Sequence, residues 1–219
     1  MDRKEVITNE VTTKEANNRI PVILVLGYGK VGKDTTSDYL VEKYGYKKKG
    51  SGDKMRELQE HINPSIEHEY IYTDASGGVC KTKMYKTYKQ WIEMYGYDAA
   101  KDVKNVSGFR QSLVNLAEGM KAVFGDEVWI DTILPYGGKE TGIVISDGRN
   151  RYEAMRVLHY GGLVIRLTRD GVGPANETEK KSVELAMDTV HETIENNGTK
   201  EELYAKIDDV IRRYNDARR

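Results

Sequence analysis

The sequence predicts an α/β fold in which a parallel sheet of about five strands carries helices on both faces. Three apolar runs, within 22–26, 141–147 and 163–167, are typical of strands that are buried on both sides. Segments with helical spacing follow these runs, and such alternation gives a parallel sheet with right-handed crossovers. A length of 219 residues fits one domain with an inserted, lid-like segment.

Composition argues against several classes of function. The formal net charge is −1, so the sequence gives no electrostatic signal for nonspecific nucleic-acid binding. The single cysteine, Cys80, leaves neither an internal disulfide nor a thiolate metal cluster, which fits a reducing cytoplasm. No apolar stretch approaches a membrane span. Residues 1–19 are polar with mixed charge, so we interpret them as a mobile tail and 20–219 as the folded domain.

A glycine-rich segment follows the first strand and organises the rest of the chain. Gly27-x4-Gly32-Lys33 matches the phosphate-binding pattern G-x-x-x-x-G-K-[ST] up to its last position. Glycines allow backbone N–H groups to close around phosphate oxygens, and the positive end of the following helix points at the same anion. Lys33 adds a point charge for the β- and γ-phosphates. The segment therefore predicts a nucleoside triphosphate site.

The last position of the pattern departs from the usual one. Asp34 stands where Ser or Thr normally holds magnesium, and Thr35 follows it. Either Thr35 serves the ion after a slight shift, or Asp34 contributes a carboxylate, directly or through water. The sequence leaves both alternatives open.

The remaining elements follow from helical spacing, caps and turn residues. A helix at 35–44 stops at Gly45, and 46–50 forms a short strand whose lysine run is solvated. A helix from 51 to about 61 ends at Asn63-Pro64. Further along, Ser107 caps a helix that continues to Phe124. The later predictions are a helix at 127–134, a turn at 135–139, a strand at 141–147, a helix at 150–160, a strand at 163–167, a mobile loop at 171–179, a helix at 179–187, a strand at 189–195 and a helix from Thr199.

The segment 64–106 differs from its surroundings, since it is rich in tyrosine and lysine and contains Gly77-Gly78. We interpret it as an insertion with a small hairpin around 70–78 and a short helix at 84–95. Its aromatic side chains could stack on a nucleobase, pack a homodimer interface, or form an internal mini-core, with the mini-core favoured.

Ligands of parallel sheets lie beyond the carboxyl ends of the strands. We expect the phosphate loop, Asp147, Arg149, Arg169 and Asn196 to gather at that edge, with Arg56 and Arg110 at the starts of returning helices. Several arginines suit transfer between two phosphates, because both polyanions must be held while charge spreads over the moving group. Such an acceptor is already ionised at pH 7 and needs no general base. No Asn-Lys-x-Asp element of switch-type GTPases is present.

Several segments together resemble the deoxynucleoside monophosphate kinases of tailed bacteriophages, within the P-loop nucleoside monophosphate kinase group. The first is Gly-Lys-Asp-Thr-Thr at 32–36, with its unusual aspartate. Gly-Asp-Lys-Met-Arg-Glu at 52–57 is similar to the family's A-D-P-L-[KR]-E, although Lys54 replaces proline and Gly52 replaces alanine. The other similar segments are Phe109-Arg110, Asp147-Gly-Arg149 with Glu153, the strand and arginine at 164–169, and Asn-Asn-Gly-Thr at 196–199.

For the phosphate donor, the resemblance implies a P-loop NTPase three-layer sandwich that uses ATP and Mg²⁺. Lys33 and the loop backbone would hold the ATP phosphates, Thr35 and Asp34 would serve the metal, and the 196–198 turn would border the adenine. The predicted cofactor-binding residues are Gly27, Gly29, Lys30, Gly32, Lys33, Asp34, Thr35, Thr36, Asn196 and Gly198.

For the acceptor, the resemblance implies a deoxynucleoside monophosphate, phosphorylated to the diphosphate for DNA precursor synthesis. Asp147 would orient Arg149 or a magnesium-bound water, and Arg169 would reach the transferring phosphate as the 171–179 loop closes. Glu153 would orient arginines. The predicted substrate-binding residues are Asp53, Arg56, Arg110, Arg149 and Glu153, and the predicted catalytic residues are Lys33, Asp147, Arg149 and Arg169.

Two rival interpretations remain. The Gly-Lys-Asp-Thr loop also occurs in phosphomevalonate kinase-like proteins, so the acceptor could be a non-nucleotide phosphate. Outside enzymology, the chain could be a nucleotide-sensing binding module whose tyrosine-rich insertion docks a partner protein.

Overall fold

The computed structural model describes residues 19–134, 137–138 and 141–218. The chain divides into two compact units, the first made of residues up to Gly50 and from Ile130 onward, the second of Ser51–Trp129. The tyrosine-rich segment 64–106 lies within the second unit. The predicted N-terminal tail, except Arg19, and most of the predicted 135–139 turn lie outside the described residues.

Strands and helices alternate along much of the described chain, as the sequence pattern predicts. In chain order the elements are β1 (Val22–Leu26), α1 (Lys33–Tyr44), β2 (Lys47–Lys49), α2 (Ser51–Ile62), β3 (Ser65–Thr73), β4 (Val79–Thr87), α3 (Tyr88–Tyr95), α4 (Tyr97–Ala100), α5 (Phe109–Phe124), α6 (Val128–Ile133), β5 (Ile143–Ile145), α7 (Arg151–His159), β6 (Leu163–Thr168), α8 (Glu177–Leu185), a 3-10 turn (Met187–Thr189), β7 (Glu192–Glu195) and α9 (Lys200–Ala217).

The first unit contains a five-stranded, fully parallel sheet in the order β2-β5-β1-β6-β7. Ile23 of β1 is in register with Val144 of β5, and Val25 is in register with Ile165 of β6. The chain thus winds outward in both directions from β1, which lies at the centre. Its carboxyl end leads into the glycine-rich segment, which is therefore held at the middle of the edge where ligands of such sheets bind.

Helices cover both faces of this sheet, so the predicted three-layer α/β fold is confirmed. Ile23 and Val25 pack with residues of α1 and α9, whereas Val22, Leu24 and Leu26 pack with residues of α6 and α7. All five residues of β1 are fully buried, because a central strand has no exposed face. Burial of both faces therefore explains the continuous apolar run in the sequence.

Helix ends in the first unit are fixed by local capping residues, of which only Gly45 was predicted. Gly45 ends α1 in the left-handed conformation, at φ 66°. Asn150 caps α7 and Thr199 caps α9, each through a capping box with a glutamate three residues later. The strands β5 and β7 are shorter than the predicted 141–147 and 189–195, since pairing covers only the central residues of the first range and the last four of the second.

The second unit is built on an antiparallel hairpin, β3–β4, whose register runs from Ser65 opposite Thr87 to Thr73 opposite Val79. Its core includes Tyr88, Trp91 and Phe109, all fully buried. The Nε1–H of Trp91 donates to the carbonyl of Ile66, 3.1 Å away, which ties α3 to the hairpin.

Two local predictions in the second unit are wrong. The helix predicted at 84–95 begins only at Tyr88, because residues up to Thr87 pair with β3 and Thr87 caps α3. Ser107 does not cap α5, which begins after Gly108 without a side-chain cap. The Ser107 hydroxyl instead accepts a hydrogen bond from the N–H of Glu69 at 3.0 Å, which fastens the residue to the hairpin.

No helix in the described ranges combines the length and apolarity needed to cross a bilayer.

Candidate functional site

The phosphate loop lies between β1 and α1 and depends on two glycines with positive φ. Gly27 has φ 140°, and a Cβ there would lie 2.6 Å from the carbonyl oxygen of Leu167 and 2.9 Å from Val31 Cγ2. Gly32 has φ 105° and precedes α1 in the left-handed conformation. Any other residue at these positions would strain the loop. Gly29, by contrast, has open space around its Cα.

Lys33 folds back over the loop that precedes it. Its ammonium group donates to the carbonyl oxygens of Gly27 and Tyr28, at 2.8 and 2.7 Å. Burial lowers the pKa of Lys33, and the neighbouring charge of Arg149 lowers it further, against the opposing effect of nearby carboxylates. The Lys33 ammonium is thus partly desolvated and close to another cation, an environment in which an added anion would be stabilised.

Residues predicted to contact the nucleotide line a cavity of about 260 Å³ at the start of α1. Arg169, which follows β6, reaches the same cavity. The cavity is lined by Lys30, Gly32, Lys33, Asp34, Thr35 and Arg169. Thr36 does not line it, because its side chain is fully buried in α1. The predicted convergence of the phosphate loop and Arg169 at one sheet edge is therefore present.

Asp147 and Arg149, which follow β5, lie near enough to Lys33 for their charges to affect its pKa. Arg149 lowers the pKa of Lys33, and Asp147 raises it. The Asp147 carboxylate lies against Gly50 at the end of β2, where a Cβ would be only 2.8 Å from its Oδ2. The guanidinium of Arg149 makes no hydrogen bond or ion pair with any residue that the structure describes. It is therefore available to an anionic ligand.

Glu153 holds Arg149 through the backbone, which the sequence did not indicate. Its buried carboxylate accepts the N–H groups of Arg149 and Asn150 at 2.7 and 3.1 Å. Glu153 thus fixes the loop that carries Arg149, and this backbone contact is the means by which it would orient that arginine. Burial raises the pKa of Glu153 to about 7, with the backbone hydrogen bonds acting in the opposite direction.

The pKa of Glu153 predicts a pH-dependent stability. A glutamate ordinarily titrates near 4.5, so between about pH 4.5 and 7 the folded protein binds more protons than the unfolded chain, and stability falls as the pH rises. Relative to Glu153→Gln, the wild-type protein should lose roughly 1–3 kcal/mol of unfolding free energy between pH 5 and 7. Denaturant titrations across this range test the difference, and identical pH profiles for the two proteins would contradict it.

Asn196 supports the phosphate loop from the end of β7. Its buried side-chain amide donates to the carbonyl of Val31 at 2.9 Å, and its backbone N–H donates to the carbonyl of Thr168 at 2.8 Å. Next to it, the side-chain oxygen of Asn197 accepts the N–H of Asp170. The turn at 196–198 therefore joins β7 to the phosphate loop and to the loop that carries Arg169. Its predicted contact with adenine stays a prediction.

We expect Asn196→Ala to destabilise the protein by about 1–3 kcal/mol, because the carbonyl of Val31 is left without its buried partner. The affinity for ATP should fall as well, since the loop loses its support. Thermal unfolding and ATP titration measure both effects. The control is Asn197→Ala, which removes an exposed hydrogen bond and should cost less than about 1 kcal/mol. Equal unfolding temperatures for Asn196→Ala and wild type would contradict the supporting role.

The two side chains predicted to serve a metal, Asp34 and Thr35, have different surroundings. Asp34 accepts from the ammonium of Lys48 at 3.0 Å, and the same lysine pairs with Asp38 at 2.9 Å. Lys48 is therefore more than the solvated surface residue that the lysine run suggested. Thr35 lines the cavity. Among the described residues, no group of three or more His, Cys, Asp or Glu side chains is arranged to hold a metal ion.

The remaining predicted substrate residues, Asp53, Arg56 and Arg110, belong to the second unit. Arg56 lies 3.6 Å from the Asp53 carboxylate and stacks on Tyr97, with its Cζ 4.1 Å from the ring centroid. Arg110 lines a cavity of about 720 Å³ in the same unit. Sequence reasoning missed Tyr97 as a partner of Arg56, because the two lie on different helices with a hairpin between them.

Comparison with known proteins adds two structural likenesses. No family model and no curated protein matches the sequence. A shikimate kinase from Acinetobacter baumannii, solved in complex with shikimate, aligns with 90% of this chain and 96% of its own at 16% identity and a TM-score of 0.43. A dephospho-CoA kinase from Campylobacter jejuni aligns with 90% of this chain and 98% of its own at 14% identity and a TM-score of 0.35. These likenesses are too distant to transfer an activity or a substrate, so function must be inferred from the site itself.

Proposed function

We propose that this protein is an ATP- and Mg²⁺-dependent kinase that transfers a phosphoryl group to a nucleoside monophosphate, specifically a deoxynucleotide. The observation that carries the proposal is that Lys33 and Arg169 line one cavity at the start of α1, while Arg149 lies near enough to Lys33 for its charge to lower the pKa of that lysine. None of the three forms an ion pair with a described residue. Three such cations around one phosphate loop suit a polyphosphate better than any neutral ligand.

The donor side of the site fits the triphosphate of ATP. The glycine-rich backbone and the N-terminus of α1 supply N–H donors. Lys33, which now donates to two loop carbonyls, would donate to phosphate oxygens instead. Asn196 supports the loop conformation by donating a hydrogen bond to the carbonyl of Val31. These features support ATP as the donor, and the resemblance to phage kinases supports the same assignment.

Thr35 and Asp34 line the same cavity and would hold Mg²⁺ through a hydroxyl and a carboxylate. A bound ion would neutralise charge on the transferring phosphate. Asp34 would serve the ion through the carboxylate oxygen that does not contact Lys48, or through water. Arg149 and Arg169 would hold the two phosphates together, and the Glu153 carboxylate would keep Arg149 in position.

The deoxynucleotide acceptor rests on the resemblance in 52–57, 109–110 and 147–153. It is tested by incubating the protein with radiolabelled ATP and each dNMP, each NMP, and a set of small phospho-acids, followed by thin-layer separation of the products. We expect a labelled deoxynucleoside diphosphate from at least one dNMP. A labelled product from a phospho-acid alone would favour the phosphomevalonate-like alternative. ATP binding without turnover of any acceptor would favour a binding module.

A further inference from the structure

Gly50 follows β2 directly, at the sheet edge to which β1 delivers the phosphate loop. The strands β2 and β5 are parallel, with Lys49 in register with Ile145, so the residues that follow the two strands come close together. A Cβ added at Gly50 would lie 2.8 Å from Oδ2, 3.1 Å from Cγ and 3.2 Å from Oδ1 of Asp147. Both residues belong to the first unit. The Asp147 carboxylate therefore occupies the space that a side chain at position 50 would need.

The backbone conformation of Gly50 does not explain why glycine stands there. Its φ is outside the positive range that favours glycine, unlike the φ values of Gly27 and Gly32 in the phosphate loop. Another residue could adopt this backbone without strain. A separation of 2.8 Å, however, is well below the roughly 3.5 Å at which non-bonded heavy atoms meet favourably. The three atoms nearest to an added Cβ all belong to Asp147, so this carboxylate is the group that a side chain would disturb.

Strand β2 is held on both sides and cannot easily move away from Asp147. The backbone N–H of Lys47 donates to the carbonyl of Gly142 at 2.7 Å, just before β5. The ammonium of Lys48 pairs with two aspartates of α1 at 3.0 and 2.9 Å. These contacts, together with the pairing of β2 with β5, fix the backbone within three residues of Gly50.

The backbone that carries Asp147 is held as well. A Cβ at Gly148 would overlap the side chain of Leu24, which is fully buried in β1, so the chain here lies directly on the core. One residue later, the N–H of Arg149 is bound by the Glu153 carboxylate at 2.7 Å. With both backbones fixed, an added methyl group on one side can be accommodated only by rotation of the carboxylate on the other.

This carboxylate belongs to the phosphate site, because its charge reaches Lys33. Burial lowers the pKa of Lys33, and the charge of Asp147 opposes that effect. We propose that Gly50 is a positioning residue of the site, because its missing side chain allows the Asp147 carboxylate to keep one place in the neighbourhood of Lys33. The inference rests on the proposed function and deepens it. A displaced carboxylate would no longer hold Arg149 or a magnesium-bound water in one orientation.

The first test is the substitution Gly50→Ala, assayed by steady-state kinetics with ATP and the best acceptor. We expect kcat to fall about 10- to 100-fold, because a misplacement of about 1 Å in a catalytic group can cost about 10²-fold in rate. The matched control is Gly119→Ala, the same change at an exposed position of α5 where a Cβ meets no atom within 4 Å. Its kcat should stay within about 2-fold of wild type. Thermal unfolding checks that both variants are folded.

The second test asks whether Gly50 acts through Asp147 or only through the fold. Asp147→Ala removes the carboxylate and so makes room for a side chain at position 50. The double variant Gly50→Ala/Asp147→Ala should therefore have the same kcat as Asp147→Ala within about 2-fold, because residues that act through one contact are not additive. A further 10-fold loss in the double variant would show a merely structural role for Gly50 and overturn the inference.

The third test does not depend on activity. Crystal structures of wild type and Gly50→Ala should show the Asp147 carboxylate displaced by about 1 Å or more, with the backbone of β2 in place. A carboxylate that stays where it is would overturn the inference, even if kcat falls. A displaced carboxylate in a protein that phosphorylates no acceptor would overturn the kinase and leave the control of Asp147 by Gly50 standing.

Discussion

Replacing Lys33 with methionine should lower kcat for phosphoryl transfer by about 10³-fold or more, with little effect on folding. The ammonium of Lys33 is the charge nearest the expected β- and γ-phosphates, and its present partners are two carbonyls of the loop itself. Charge stabilisation of a transferring phosphate contributes roughly 10³ to 10⁵ in rate in comparable enzymes. Steady-state kinetics with ATP and the best acceptor measure the loss.

Lys47→Met is the matched control for this substitution, because Lys47 is an exposed lysine on β2. Its activity should stay within about 2-fold of wild type, as expected for a surface charge. Turnover near the wild-type value in folded Lys33→Met would remove the central support for a triphosphate site at this loop.

Arg149→Ala should reduce kcat/KM for the acceptor by about 10³-fold. The positive charge of its guanidinium lowers the pKa of Lys33, and the guanidinium has no hydrogen-bond or ion-pair partner among the described residues. The Glu153 carboxylate fixes the backbone of Arg149 by accepting its N–H. A cation placed in this way stabilises charge only when phosphate is present. Arg149→Lys should restore part of the activity at most, because an ammonium lacks the bidentate geometry of a guanidinium.

Arg151→Ala is the control for Arg149, since Arg151 lies two residues later and pairs with Asp188 at 2.6 Å on the surface. Removing this exposed pair should cost less than about 1 kcal/mol of stability and leave turnover within about 2-fold. If Arg149→Ala and Arg151→Ala have the same activity, Arg149 does not contact the reacting phosphates.

The central sheet and the phosphate loop were predictable because the sequence patterns that indicate them are local and each pattern has a single physical cause. A run such as 22–26 is apolar throughout only if both faces are covered, and glycines at 27 and 32 are required by positive φ. The capping boxes at Asn150 and Thr199 are similarly local. Pattern reasoning is strongest for such features.

Tertiary contacts explain what the sequence did not reveal. Residues 84–87 have helical spacing but pair with β3, and Ser107 has the chemistry of a cap but is held by the hairpin. The ion pair between Lys48 and Asp34 joins two elements through side chains that look like ordinary surface charges. In each case the contact is made with a residue distant in the sequence, and no local sequence pattern indicates that contact.

The connectivity has a consequence for the order in which the chain can fold during synthesis. Ser51–Trp129 is one continuous stretch, whereas β1 must wait for β5 to pair one of its edges and for β6 to pair the other. The second unit has thus been fully synthesised when the apolar strand β1 still lacks both of its partner strands. Unpaired strands of this kind are prone to aggregation. Chaperone dependence is therefore expected to be greatest for nascent chains that end before β6 emerges.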